Sequence, residues 1–284
     1  MRKILITTDQ AADVPAGYER IENFKVLNLA YEINGIKYDN FLNKQLDKIQ
    51  IKKLMHKGVY PKILNGNLNE AEIFFSKIIN EGYDIIHLSS ISENSQNYNF
   101  VQNAIKNISH NEINLIQRVH RDYKIKNIDT GLFSGGLTLL VDKTLNFLKN
   151  EYEPDFFDVC EKIEYFNSNI IGYFIFDKYK EMKKIFPSIK KSKKIYRYEN
   201  KEIIETSHNV SADNLLKLLK KYEKEDFFSS FYISHSLNDK KYQKIENLII
   251  NEYGSIIRYS DFIGPFLLPY ALNGSFMLFV YKQN

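Results

Sequence analysis

The chain opens on an apolar run, Ile4-Leu5-Ile6, that passes into Thr7-Thr8-Asp9, then small residues, then Asp13-Val14-Pro15. A short β-branched run ending in polar residues predicts a buried parallel strand that delivers side chains to its carboxyl end. Ligands of open α/β sheets bind in the crevice at that end. Asp9 and Asp13 are therefore either site residues or local caps and turns.

The same alternation recurs. Residues 27–33 predict a strand, and Asn34-Gly35 turns it back as a hairpin into Ile36-Lys37-Tyr38. Helical spacing covers 47–57, stopped by Gly58, and 70–80, capped by Asn69; residues 59–68 form a loop. Residues 84–88 predict a strand, 98–108 a helix, and 114–128 a short strand or two ending at Ile128-Asp129. A helix over 137–149 follows Ser134-Gly135-Gly136. Strand, polar loop and helix in repetition predict a parallel sheet covered by helices on both faces.

The pattern shifts after residues 151–154. Helices are expected over 156–167, 180–185, 212–223 (capped by Ser211) and 239–252. Strands are expected over 170–176, 227–234, 256–259 and 276–281, with a hairpin of 195–198 and 202–205 around Asn200. This predicts a second α/β domain with a mixed sheet, the division falling between 1–152 and 153–284.

Composition narrows the class. The 284 residues suffice for two domains, and no apolar run approaches the roughly 20 residues of a membrane span. Met1-Arg2-Lys3 leads straight into a strand, and one cysteine, Cys160, allows no disulfide within the chain, so a cytoplasmic protein is expected. Cys160 reads as a small buried hydrophobe. The net charge of +4 gives no reason to expect nucleic acid as a partner.

P-loop, dinucleotide, nucleophile-elbow and zinc-protease motifs are missing, and the six histidines lack metal-ligand spacing. No metal, cofactor or catalytic residue is expected. His235, after a strand, reads as a turn or structural residue, with a reach into a cleft as the alternative. Lysines from Lys178 to Lys194 form the densest charge run, either a solvated face or a docking patch for an acidic or phosphate-bearing partner. Hydroxyl-rich loops remain: Thr7-Thr8-Asp9, Ser89-Ser90, and Asp129-Thr130 with Ser134-Gly135-Gly136. Such loops suit a carboxylate or phosphate, with glycines allowing close backbone approach; otherwise their hydroxyls cap the following helices.

These residues resemble the DegV family of bacterial fatty-acid-binding proteins. Thr7 to Pro15 is similar to its opening T-D-S-T-A-D-L-P, and Pro61 to Asn67 stands where it has P-T-T-S-Q-P-S. Leu88-Ser89-Ser90 through Ala104 is similar to S-S-x-L-S-G-T-Y-Q-S-A, and Ile128-Asp129-Thr130 to Leu137 to I-D-S-K-x-x-S-x-G-L. Tyr173 to Asp177 resembles Y-F-V-V-D-D-L, and Ile263-Gly264-Pro265 the I-G-P before the closing H-x-G-P-G. The resemblance implies two α/β domains with a ligand cleft between them. A long-chain fatty acid would lie there, its carboxylate at the strand-end loops, for presentation to a fatty-acid kinase. It implies a carrier rather than an enzyme, with no cofactor and no membrane insertion.

The departures fall on the head-group positions. Lys62-Ile63-Leu64 replaces Thr-Thr-Ser, Ser92-Glu93-Asn94-Ser95 replaces L-S-G-T, Tyr270 stands for the closing His, and Leu272-Asn273-Gly274 for G-P-G. Phe186-Pro187-Ser188 lacks the family's Arg, and the segment before Ile195-Tyr196 is shorter by about ten residues, one average helix. The ligand-binding set the resemblance implies is Ser89, Ser90, Lys62, Asn65, Tyr270, Asn273 and Gly274. A second expectation is a paralogue that has lost lipid binding and acts through protein contacts. Phe and Tyr side chains filling the inter-domain space would favour it.

Overall fold

The computed structural model describes residues 2–38, 48–64, 66–91, 97–110, 123–176, 179–223, 227–236, 239–271 and 274–283. In the N-terminal half these form β1 (Lys3–Asp9), β2 (Phe24–Leu27), β3 (Tyr31–Ile33), β4 (Ile36–Tyr38), α1 (Lys48–His56), β5 (Lys62–Ile63), α2 (Leu68–Asn80), β6 (Tyr83–Ser89), α3 (Asn97–His110), β7 (Ile125–Asp129) and α4 (Ser134–Asn150). The C-terminal half supplies α5 (Phe156–Ser168), β8 (Ile170–Phe176), α6 (Tyr179–Met182), β9 (Lys194–Glu199), β10 (Glu202–Asn209), α7 (Ala212–Glu223), β11 (Phe227–His235), α8 (Asp239–Tyr253), β12 (Ile257–Phe262), α9 (Leu268–Ala271) and β13 (Ser275–Gln283).

The first sheet is parallel, in the order β2-β1-β6-β7. Five consecutive buried positions close β1, as the apolar run predicts for a strand covered on both sides. One face packs Leu5 and Ile85 against Phe75, Ile78 and Val101 of α2 and α3. The other packs Ile6, Ile86 and Leu88 against Leu137, Leu140 and Val141 of α4. The second sheet is mixed, in the order β10-β9-β8-β13-β11-β12, with only β11 and β12 parallel. Its outer face packs Tyr173, Ile175 and Leu278 against α7 and α8. Its inner face, Phe174, Tyr198, Tyr232 and Phe279, shares one core with α4 and the parallel sheet.

Four readings change. Helix α4 starts at Ser134 and not at Leu137, so Ser134-Gly135-Gly136 forms its first turn rather than a preceding loop. The run 27–33 is not one strand: Leu27 ends β2, and Tyr31 starts a separate antiparallel sheet, β4-β3-β5. Gln10 makes the break, donating to Asn28 Oδ1 at 2.8 Å and accepting the Leu29 amide at 3.1 Å. β5 lies in the stretch expected as loop. Helix α2 starts two residues early, because Asn67 and not Asn69 is the cap, accepting the Asn69 amide at 3.2 Å. Ser211 does cap α7, accepting the Asn214 amide at 3.0 Å. The expected strand positions before 123 lie outside the described residues.

Candidate functional site

The carboxyl ends of β1, β6 and β7 come together beneath α4. Asp9 ends β1 and is fully buried. Its Oδ1 accepts the Ala11 amide at 2.8 Å, and its Oδ2 accepts Ser90 N at 3.1 Å and Ser90 Oγ at 2.9 Å. Burial pushes its carboxyl above the ordinary value, while the Ser90 and Ala11 donors pull it back. Ser89, beside it, donates from Oγ to Asn127 Oδ1 at 2.7 Å. The Ser89 carbonyl accepts both the amide and the hydroxyl of Thr130, at 3.2 and 2.8 Å. Asp129 accepts the Gly131 amide at 3.1 Å and faces Lys201 Nζ at 2.8 Å. These hydroxyls tie neighbouring strand ends to one another rather than capping the following helices.

Asp13 lies one turn further on, also buried. Its Oδ1 accepts the Gly264 amide at 2.7 Å, its Oδ2 accepts the Ser134 hydroxyl, and its carbonyl accepts the Tyr232 hydroxyl at 2.6 Å. Ser134 Oγ also lies 3.0 Å from Ser234 Oγ. One N-terminal loop carboxylate thus joins α4 to β11 and to the segment after β12. The resemblance gave Asp13 no role; its chemistry was visible, but its partners are not readable from local sequence.

The glycines of Ser134-Gly135-Gly136 do allow a close approach, but to rings. A Cβ on Gly135 would meet the Tyr232 ring, and one on Gly136 the Phe279 ring. Phe133, just before them, inserts into the inner face of the mixed sheet. Its ring centroid lies 5.3 Å from Phe186, 5.4 Å from Phe174, 5.5 Å from Phe279 and 5.7 Å from Tyr198. All five residues are buried, and Tyr198 is fixed by its hydroxyl on the Gly131 carbonyl. Phe and Tyr side chains therefore fill this part of the inter-domain space.

The remaining expected ligand residues are scattered over the rim. Lys62 is exposed on β5, opposite Glu32. Tyr270 is half-buried on α9, its amide on the Leu267 carbonyl at 3.0 Å. Tyr31 connects the two segments: it pairs with Ile63 in the small sheet and meets the Phe266 ring at 6.1 Å. Gly274, at φ +100°, gives its amide to Ser236 Oγ at 2.8 Å, and its carbonyl accepts the Tyr242 hydroxyl at 2.7 Å. Asn65 and Asn273 lie outside the described residues. His235 is the last residue of β11, paired with Phe262 and Phe276 rather than lying in a turn, and its Nδ1 lies 3.4 Å from the Ser236 carbonyl. Cys160 is buried, and burial pushes its thiol up to about 11, so it packs rather than reacts. Among the described residues, no helix is long and apolar enough to cross a membrane.

A parallel α/β half and a mixed-sheet α/β half, joined through one buried helix and the strand-end loops, define a two-domain class of protein. The family model for uncharacterised proteins of the DegV family matches residues 3–282. The chain belongs to the DegV family. Solved structures agree in fold. A stearic-acid-binding protein from Eubacterium ventriosum matches with TM-score 0.79 at 15% identity, over 99% of this chain and 98% of that one. A fatty-acid-binding DegV-family protein from Streptococcus agalactiae matches with TM-score 0.74 at 19% identity, over 100% of both chains. A DegV-family protein from Eubacterium eligens, loaded with heptadecanoic acid, matches with TM-score 0.73 at 14% identity, over 99% and 100%. No curated protein matches the chain.

Proposed function

We propose that the protein is a lipid-binding carrier that holds a long-chain fatty acid between its domains and presents the carboxylate to a partner kinase. It catalyses no reaction itself. The supporting observation is the fold shared along 99% of the chain with relatives described as binding stearic acid or loaded with heptadecanoic acid. On this reading the head group lies near Ser89, Ser90 and Tyr270, with Lys62 supplying charge and Asn65, Asn273 and Gly274 completing the rim. The geometry sets two conditions. Ser90 must turn its hydroxyl from Asp9 toward the ligand, and a neutral Asp9 would remove the like-charge repulsion. The acyl chain must displace Phe133, a rearrangement that burial at about 0.8 kcal/mol per methylene would offset. Native mass spectrometry of the purified chain tests the proposal. The expected spectrum shows one fatty acid per chain, retained or taken up when stearic acid is offered. A chain that carries none and takes up none sinks it.

The Phe133 packing favours a second reading, a DegV-fold protein that has lost lipid binding and acts through protein contacts. The bonding of Ser90 to Asp9 points the same way, since that hydroxyl already has its acceptor. The same spectra separate the two readings.

A further inference from the structure

The charge of this chain is concentrated in one place. Eight lysines and one glutamate give residues 178–194 a net charge of +7, against +4 for the whole chain, so the rest sums to −3. The fold displays the charges of residues 180–194 on a fixed support. Met182, Ile185, Phe186 and Ile189 point inward and are buried, while Lys180, Lys183, Lys184, Lys190, Lys191 and Lys193 are exposed. Phe186 anchors the segment on Phe133. Tyr196 pins its far end, donating its hydroxyl to the Lys191 carbonyl at 2.7 Å and accepting the Lys191 amide at 3.0 Å. Lys191 pairs with Glu205 at 3.6 Å and keeps 65% of its side chain exposed. The apolar anchors hold the segment in place. Lysines this close in sequence repel one another, a cost that an acidic partner surface offsets.

We infer that the lysine-bearing surface of residues 180–194 is a docking site for the acidic face of a protein partner. Charge complementarity names the partner, and the apolar pattern narrows its class. The four large apolar residues just named face the core, so they are not available to insert into a bilayer, as membrane-surface helices do. Residues 180–194 hold no arginine and no tyrosine, and their one phenylalanine is buried, so within them the bidentate and stacking contacts that nucleic acids draw on are left out. Its position suits docking beside the candidate site, because α6 packs against α9, which carries Tyr270. The inference stands whether or not the chain holds a fatty acid.

The test is binding of the full-length protein to immobilised poly-L-glutamate, with vesicles of pure phosphatidylglycerol and duplex DNA as parallel probes. Binding should weaken at least tenfold between about 20 and about 300 mM salt, as the screening length falls from roughly 20 to roughly 6 Å. Changing Lys183, Lys184, Lys190 and Lys191 to Glu should cost at least about tenfold at low salt. Changing the exposed Lys53, Lys57, Lys77 and Lys149 to Glu, with the same net charge, should leave binding within about threefold. The four-fold Lys→Gln variant of the segment keeps the test valid if the Glu variant does not fold. Equal losses in both sets, no loss in the segment variants, or tighter binding to vesicles or DNA than to poly-L-glutamate would overturn the inference.

Discussion

Asp13 and Gly264, 251 positions apart in the chain, are joined by a 2.7 Å hydrogen bond from the Gly264 amide to a buried carboxylate. Asp13→Ala strands that amide and leaves the Ser134 hydroxyl only Ser234 Oγ as acceptor, a loss of about 2 kcal/mol in unfolding free energy. Asp13→Asn keeps an acceptor for Gly264 and should cost less. Urea unfolding midpoints of the three proteins check the order, and equal midpoints for Asp13→Ala and the parent would refute it.

Phe133→Ala removes the ring at the centre of the inter-domain aromatic group. The expected cost is about 3–5 kcal/mol from lost burial and a residual cavity. On the carrier reading the vacated space increases stearic acid uptake relative to the parent chain. On the protein-contact reading stability falls and uptake stays at zero. Urea unfolding and native mass spectrometry on the same preparation read both quantities.

Gly135→Ala places a methyl into the Tyr232 ring and should destabilise by about 1–3 kcal/mol. Gly254 has open space around its Cβ direction and no positive φ, so Gly254→Ala should be nearly neutral. Thermal unfolding of the pair distinguishes close helix–sheet approach from a general intolerance of alanine.

His87 is fully buried, with Nδ1 2.8 Å from Thr7 Oγ1, and burial pushes its pKa from 6.5 down to about 3. The unfolded chain takes up this proton near 6.5 and the folded chain only near 3, so stability is complete above 6.5 and falls as pH drops through that window. By pH 5 the loss should reach about 2 kcal/mol. Asp9 acts the other way, since burial raises its pKa and its protonation favours the folded state. His87→Gln should flatten the fall between about pH 7 and 5; an unchanged slope in urea midpoints would assign it to other groups.

The elements with a long, clean period were legible: β1, β6, β8, α4 and α5 follow directly from apolar spacing. The break at residues 28–30 was not, because Leu27, Leu29, Tyr31 and Ile33 keep a strand's alternation across it and the interruption comes from Gln10, a tertiary contact. Asn67 and Asn69 are equally good caps by type, and only the fold chooses between them. At the candidate site the sequence identified the strand-end hydroxyls but not their acceptors. Ser90 was legible as a hydroxyl at a strand end; its bond to Asp9, 81 residues away, was not. Ser134-Gly135-Gly136 announced a close approach, while the identity of the approaching group, the Tyr232 and Phe279 rings, depends on a strand pairing formed about a hundred residues later.

Every residue of α4 from Ser134 to Val141 is buried, walled by the parallel sheet on one side and the mixed sheet on the other. This helix therefore belongs to two cores at once, and neither sheet can lose it and stay covered. The two halves should melt in a single transition. A chain cut at residue 152 would keep the helix but leave Phe133 and its apolar neighbours facing water. It would behave as an aggregating fragment rather than as a free-standing domain.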